Sequence, residues 1–268
     1  MHSPPQSITA SGAALPLHPL FEITTASVSP RLHTAIRRHT SNVAPAVAAA
    51  AAHVRTPEAQ QLRELQLVVA SADESLAMAT NYSYALRVAP ATATSPGTAV
   101  VSCASVYGCM YGMESFAQLL HHESGTVIHS TIELEDSPDF AWRGLMVDAG
   151  RRFFPMDTLH DLLTTMAANK LNVLHLHASD FCRFGVESKL FPNLTQALTG
   201  VKGGFYTQAD IKALIAFAGG LGIRIVPEFD IPGTDVITAI GHVLCRHRRR
   251  RRRRRRRRTV LCVRVPLF

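Results

Sequence analysis

The sequence predicts an α/β fold in two parts, and three observations carry that prediction. Three short apolar runs, Gly144–Asp148, Asn172–Asp180 and Ile223–Asp230, each end in polar or charged groups. Two amphipathic segments, Met156–Lys170 and Thr207–Leu221, separate them. Strand, helix, strand, helix, strand is the grammar of a parallel sheet with helical crossovers. Upstream lies a different set of short alternating runs around one helical stretch, which predicts a separate small α/β domain.

The chain has 268 residues, room for one large domain or two medium ones, and 47% of them are hydrophobic, ample for a packed core. The net charge of +8 misleads. Arg246 and Arg248–Arg258 are twelve arginines, and removing them from +8 leaves −4. The basic balance belongs to one tract and is not the footprint of a basic domain face. The five cysteines, Cys103, Cys109, Cys182, Cys245 and Cys262, are odd in number and form no CxxC pair, which argues against a zinc site. Cys103 and Cys109 are close enough to bridge, but two buried free thiols are the preferred reading. Met1–Leu20 lacks the basic and apolar regions of a signal peptide, and no run of about 18 apolar residues predicts a membrane span.

In chain order, residues 1–30 are rich in Pro, Ser, Thr and Ala and read as irregular, with Leu20–Ile23 as a candidate edge strand. Residues 31–136 read as the small domain. Arg31–Ala52 has helical spacing, weakened by Pro45. Glu64–Ala70, Tyr84–Ala89, Thr98–Ala104 and Val127–Leu134 read as strands, and the later half of Val106–Leu120 as a helix. Asp136-Ser137-Pro138-Asp139 is a turn-rich linker. Residues 139–240 hold the three strands and two helices of the second part. Asp157 is a candidate cap for the first crossover helix, and Thr207 with Asp210 three residues later has the capping-box pattern. Residues 245–268 read as a solvated, disordered arginine-rich tail, because eleven successive like charges repel one another.

Asp148, His175, His177, Asp180, Glu228 and Asp230 lie at or near the carboxyl ends of the predicted strands. That end is the active face of an α/β barrel and the crevice of an open parallel sheet. His175 and His177, two apart on a strand, point to one face. A metal pair is conceivable, but two histidines without a third clustered ligand are weak evidence for zinc, and hydrogen-bonded polar residues are preferred. No metal and no cofactor is expected.

A longer pattern runs through this part: Arg143-Gly144 with Asp148 and Arg151, Lys170-Leu171-Asn172, His175-Leu176-His177, Asp180, Val186-Glu187-Ser188, Phe191-Pro192, Tyr206-Thr207, Gly222-Ile223-Arg224 and Pro227-Glu228-Phe229-Asp230-Ile231-Pro232-Gly233. Its order and spacing resemble the first part of a glycoside hydrolase family 20 β-N-acetylhexosaminidase. Upstream, Tyr111-Gly112-Met113-Glu114-Ser115-Phe116 is similar to a helix of the family's accessory domain. The resemblance implies a small α/β domain followed by an incomplete TIM-type barrel of about three βα units. It implies a glycan substrate ending in N-acetylhexosamine. It gives Arg143 a role in binding sugar hydroxyls, with His177 and Glu228 as polar groups of the substrate pocket.

In the family, the aspartates at Asp180 and Asp230 orient a histidine, but that position here is Thr234, which cannot titrate near neutral pH. A second acid often follows the first; here that residue is Phe181. The family's reaction is substrate-assisted: the 2-acetamido oxygen attacks its own anomeric carbon, and an adjacent Asp-Glu pair orients it and supplies the proton. No Asp or Glu follows Asp235, so the pair is missing beyond the third strand. Three strands of eight do not close a barrel, and the chain is expected to be truncated and inactive. The rival expectation is a non-enzymatic module that binds nucleic acid or another polyanion through Arg248–Arg258 without sequence preference.

Overall fold

A computed structural model describes residues 5–53, 55–92, 95–180, 183–198 and 204–230. Phe181, Thr234, Asp235 and the arginine-rich tail lie outside them. The chain divides into two compact units. Among the described residues, the first comprises those up to Arg143, Thr164–Asn172 and Gly219–Arg224; the second comprises those within Gly144–Leu163 and Val173–Ala218 and from Ile225 to Asp230.

The first unit is built on strands β1 (Ser7–Ser11), β2 (Leu15–Thr25), β3 (Leu62–Val69), β4 (Tyr84–Ala89), β5 (Gly97–Cys103), β6 (Leu120–His121), β7 (Thr126–Val127) and β8 (Thr131–Asp136). They form one mixed sheet in the order β1-β8-β4-β5-β3-β2-β7-β6. Helix α1 (Pro30–His53) is the crossover between the parallel strands β2 and β3. Helix α2 (Val106–Gln118) follows β5.

Three expectations for the first unit need correction. The described part of residues 1–30 is not irregular: β1 pairs antiparallel with β8, and β2 pairs with β3 and β7. Pro16 and Pro19 hid β2. The ladder to β3 skips from Leu17 to Glu22, and Pro19 and Leu20 sit exposed in that interval, so the missing N–H leaves no rung broken. Pro45 does not divide α1. It is exposed, while Leu32, Ala35, His39, Val43, Ala46 and Ala50 form a buried stripe at helical spacing, and that burial outweighs one lost bond. Cys103 and Cys109 are joined by a disulfide rather than left as thiols. Ser105 accepts from Gly108 N and caps α2, and the tight turn sets the two Cα atoms 5.2 Å apart, within disulfide range.

Only the later half of α2 showed helical spacing in sequence because the helix is buried on nearly every side. At Gly112 a Cβ would stand 2.4 Å from Val101 Cγ1, so glycine is what lets α2 lie directly on β5. The core between helices and sheet is apolar, with Leu17, Leu32, Leu65, Val101 and Phe116 buried.

Lys170 adopts φ 54°, the left-handed region that a residue with a side chain rarely enters. Its ammonium donates to Tyr84 Oη at 2.7 Å and Ser115 Oγ at 2.8 Å, and lies 3.1 Å from Asp136 Oδ2. Those bonds offset the backbone strain. The single tryptophan, Trp142, is half-exposed beneath the Arg224 guanidinium, 5.8 Å from ring to Cζ.

The second unit carries β9 (Gly144–Asp148), the first part of α3 (Met156–Ala168), β10 (Val173–Asp180), β11 (Arg183–Phe184), most of α4 (Gln208–Gly220) and β12 (Arg224–Phe229) after its first residue. The strand–helix alternation read from the sequence is present. β10 pairs in parallel with β9, from Val173 opposite Gly144 to His177 opposite Asp148. It also pairs with β12; Arg224 N donates to Asn172 O at one end and Asp230 N to Ser179 Oγ at the other, so the two strands run the same way. The capping box of α4 is present: Thr207 N donates to Asp210 Oδ2 and Asp210 N to Thr207 Oγ1. Asp157 is not the cap of α3 but lies inside its first turn. No helix among the described residues is long and apolar enough to cross a membrane.

Candidate active site

Parallel pairing sets the last residues of β9, β10 and β12 beside one another, and polar side chains gather there. At the end of β9, Asp148 Oδ1 accepts from Arg151 N at 3.0 Å and Oδ2 from Arg151 Nη1 at 2.5 Å. The other arm of the guanidinium, Nη2, reaches Asp180 Oδ2 at 2.7 Å. Arg151 therefore spans two carboxylates while its side chain is 58% exposed. Asp180, by contrast, is 7% exposed.

His177 continues the chain of contacts. Its Nε2 lies 3.1 Å from Asp180 Oδ2 and its Nδ1 2.9 Å from Glu228 Oε2. The same Glu228 oxygen is 2.7 Å from His175 Nε2. The result is a line of alternating partners: Asp148, Arg151, Asp180, His177, Glu228, His175. Both histidines close on a carboxylate oxygen instead of opening toward a shared metal position. Among the described residues no group of three such side chains is arranged to hold a metal ion.

The charges tune one another. Burial is the largest single influence on His177 and opposes its charge, but hydrogen bonds to Glu228 and Asp180, with the charges of Glu228 and Asp148, outweigh it and raise its pKa. Glu228 is held below the usual carboxylate range, first by its bond to His177 and then by His175. Burial pushes Asp148 up, yet the bonds from Arg151 prevail and its pKa is lowered.

The backbone explains why the turn after β9 is so close. Gly150 N donates to His177 O at 2.7 Å, and a Cβ on Gly150 would stand 2.8 Å from the Ser179 carbonyl carbon. Only glycine brings Arg151 within reach of both aspartates.

Of the residues expected at the site, the structure brings together His177, Asp180 and Glu228. Asp230 follows β12, with its N–H bonded to Ser179 Oγ and its side chain exposed; its expected partner position, Thr234, lies outside the described residues. Arg143 is elsewhere. It precedes the first residue of β9, at the opposite end of the strand from Asp148. Its Nε donates to Lys170 O, Nη1 to Phe140 O and Nη2 to Tyr111 Oη, and its guanidinium lies over the rings of Tyr82 and Tyr111. A role for Arg143 in binding sugar hydroxyls is therefore corrected: it is a bolt of the first unit. Arg151 belongs to the pattern read from the sequence but was given no role there; it lies three after Asp148, a spacing at which a turn can return a guanidinium to the carboxylate.

The one Asp-Glu dipeptide of the sequence, Asp73-Glu74, is committed to turn structure in the first unit. Asp73 accepts from Ser75, and Glu74 accepts from Ser29 Oγ and from Arg31 N at 2.9 Å.

Comparison with known proteins gives this arrangement its context. Residues 140–263 match the catalytic domain of glycosyl hydrolase family 20, and residues 4–119 match a beta-acetyl hexosaminidase-like domain. The chain is 36% identical over 181 residues to beta-hexosaminidase subunit A2 of Dictyostelium discoideum, covering 67% of this chain and 32% of that protein. It is 39% identical over 136 residues to mouse beta-hexosaminidase subunit beta, covering 50% and 25%. The chain thus spans at most about a third of these relatives. The structure superposes on Flavobacterium johnsoniae chitobiase with a TM-score of 0.71 and 28% identity, over 89% of this chain and 36% of that one. A Vibrio harveyi exo-beta-N-acetylglucosaminidase shares the fold with a TM-score of 0.67. With a family match on each of its two parts, the chain belongs to glycoside hydrolase family 20, whose small α/β domain and first barrel strands it carries.

Proposed function

We propose that these residues form the sugar-recognition side of a β-N-acetylhexosaminidase site, acting on glycans that end in N-acetylhexosamine. The observation that carries this reading is the exposed Arg151 guanidinium held between Asp148 and Asp180 at the carboxyl ends of the strands. A sugar hydroxyl both donates and accepts; a carboxylate takes the proton side and a guanidinium the lone-pair side, and a pre-paired couple does so without reorganising. His177 holds Asp180 from behind, with Glu228 on its other ring nitrogen, and Asp230 follows the next strand end.

Hydrolysis needs more. The acetamido oxygen must be aimed at the anomeric carbon and the leaving oxygen must be protonated, which calls for an adjacent Asp-Glu pair. No acidic residue follows Asp235, and Asp73-Glu74 is engaged in capping. The 268 residues by themselves are accordingly proposed to bind the sugar without cleaving it.

Calorimetric titration of N-acetylglucosamine into the full chain tests recognition. Binding lost about tenfold or more in Arg151→Ala is expected; no binding by the parent chain overturns the reading. In parallel, a chromogenic aryl N-acetyl-β-glucosaminide should release no chromophore. A second reading rests on the eleven successive arginines: the tail attracts polyanions by counterion release. Retention on heparin that vanishes in high salt and on deletion of Arg248–Arg258 is its signature.

A further inference from the structure

His177 presents both ring nitrogens to carboxylate oxygens: Nε2 to Asp180 at 3.1 Å and Nδ1 to Glu228 at 2.9 Å. A neutral imidazole carries one N–H, so one of its nitrogens would aim a lone pair at an anionic oxygen. Moving the proton to a carboxylic acid does not resolve this. Asp180 also takes Arg151 at 2.7 Å, which favours its anionic form. Glu228 also receives His175 Nε2 at 2.7 Å on the same oxygen. The remaining arrangement gives His177 two N–H groups and a full positive charge.

We propose that His177 is a positioning residue protonated at neutral pH, an imidazolium that locks Asp180 and Glu228 in place, and not a base that exchanges protons with substrate. The charged groups around it are Asp148 from β9, Arg151 from the turn that follows, Asp180 and His175 from β10, and Glu228 from β12. Three anions face it and one fixed cation lies beyond Asp180, so the surroundings favour the charge. The raised pKa of His177 agrees with that balance. For the sugar site, which is the reading just proposed, the consequence is specific. Asp180 is the carboxylate paired with Arg151, and its orientation depends on a proton that leaves as pH rises. Recognition should be intact below the His177 pKa and weaken above it.

Ring-nitrogen NMR on the isotopically labelled full chain decides the matter, with the His177 signal assigned by its loss in His177→Gln. Both nitrogens should carry protons at neutral pH, and the ring should titrate above the ordinary histidine value of about 6.5. Glu228→Gln, which keeps the shape but removes an anion, should lower that pKa while the chain stays folded. This variant also serves for assignment if His177→Gln does not fold. N-acetylglucosamine affinity should fall about threefold or more between about pH 6 and about pH 9 and follow the shifted pKa in Glu228→Gln. A single neutral tautomer at pH 7, or a pKa unmoved by Glu228→Gln, overturns the proposal. A protonated His177 in a chain that binds no sugar would leave the imidazolium standing and defeat the sugar reading alone.

Discussion

Two arginines eight residues apart illustrate what a position in sequence does and does not tell. Arg143 has its guanidinium tied to Lys170 O, Phe140 O and Tyr111 Oη, while Arg151 bridges two aspartates with more than half of its side chain in solvent. Arg143→Ala should therefore destabilise the chain by about 1.5–3 kcal/mol, lowering Tm by several degrees, and leave sugar affinity of the folded fraction unchanged. Arg151→Ala should do the reverse, weakening sugar binding with little change in Tm. Thermal melts and titrations on the same two variants separate the roles. That His177, Asp180 and Glu228 would come together was legible in the sequence because the ends of parallel strands lie side by side. The function of Arg143 was not, because nothing local to Trp142-Arg143-Gly144 reveals that Tyr82, Tyr111 and Lys170 converge on it from distant parts of the chain.

Among the elements, those with a local chemical signature were read well. The Thr207–Asp210 box fixes the start of α4, and β4 and β9 have the bounds that their alternation and end groups suggested. Only Leu20–Ile23 of β2 was read as strand, because Pro19 falls at a register shift visible only once the neighbouring strand is known. Helix α1 shows the opposite case, a local breaker overruled by tertiary burial. Pro45→Ala should restore a helical N–H at an exposed position and stabilise the chain by up to about 3 kcal/mol, measured by denaturant unfolding. The same helix buries His39, whose pKa burial pushes down to about 3, with the Arg38 charge adding to the effect. A histidine held neutral contributes stability above its unfolded pKa of about 6.5, and loses it as pH falls toward the folded value. His39→Leu should flatten the loss of stability between about pH 6.5 and about pH 4.

For the molecule as a whole, the strand-end network sets a pH window in the second unit. The lowered pKa values of Asp148 and Glu228 mean stability present above the ordinary carboxylate range and lost as pH falls through the folded values. The raised pKa of His177 means stability present below about 6.5 and lost as pH rises through its folded value. Optimum stability of this unit is expected between those limits, and circular-dichroism melts from acid to alkaline pH should trace it. Glu228 and His177 share one interaction, so their effects are not to be added.

The stack of Arg224 on Trp142 supplies an optical handle for these measurements. One indole gives the entire tryptophan emission of the chain, and it touches the first residue of the strand that delivers Glu228. Withdrawal of the guanidinium on unfolding should move that emission to the red and change its intensity. A fluorimeter alone can then follow the seating of β12, with no label and no background from a second fluorophore of the same kind.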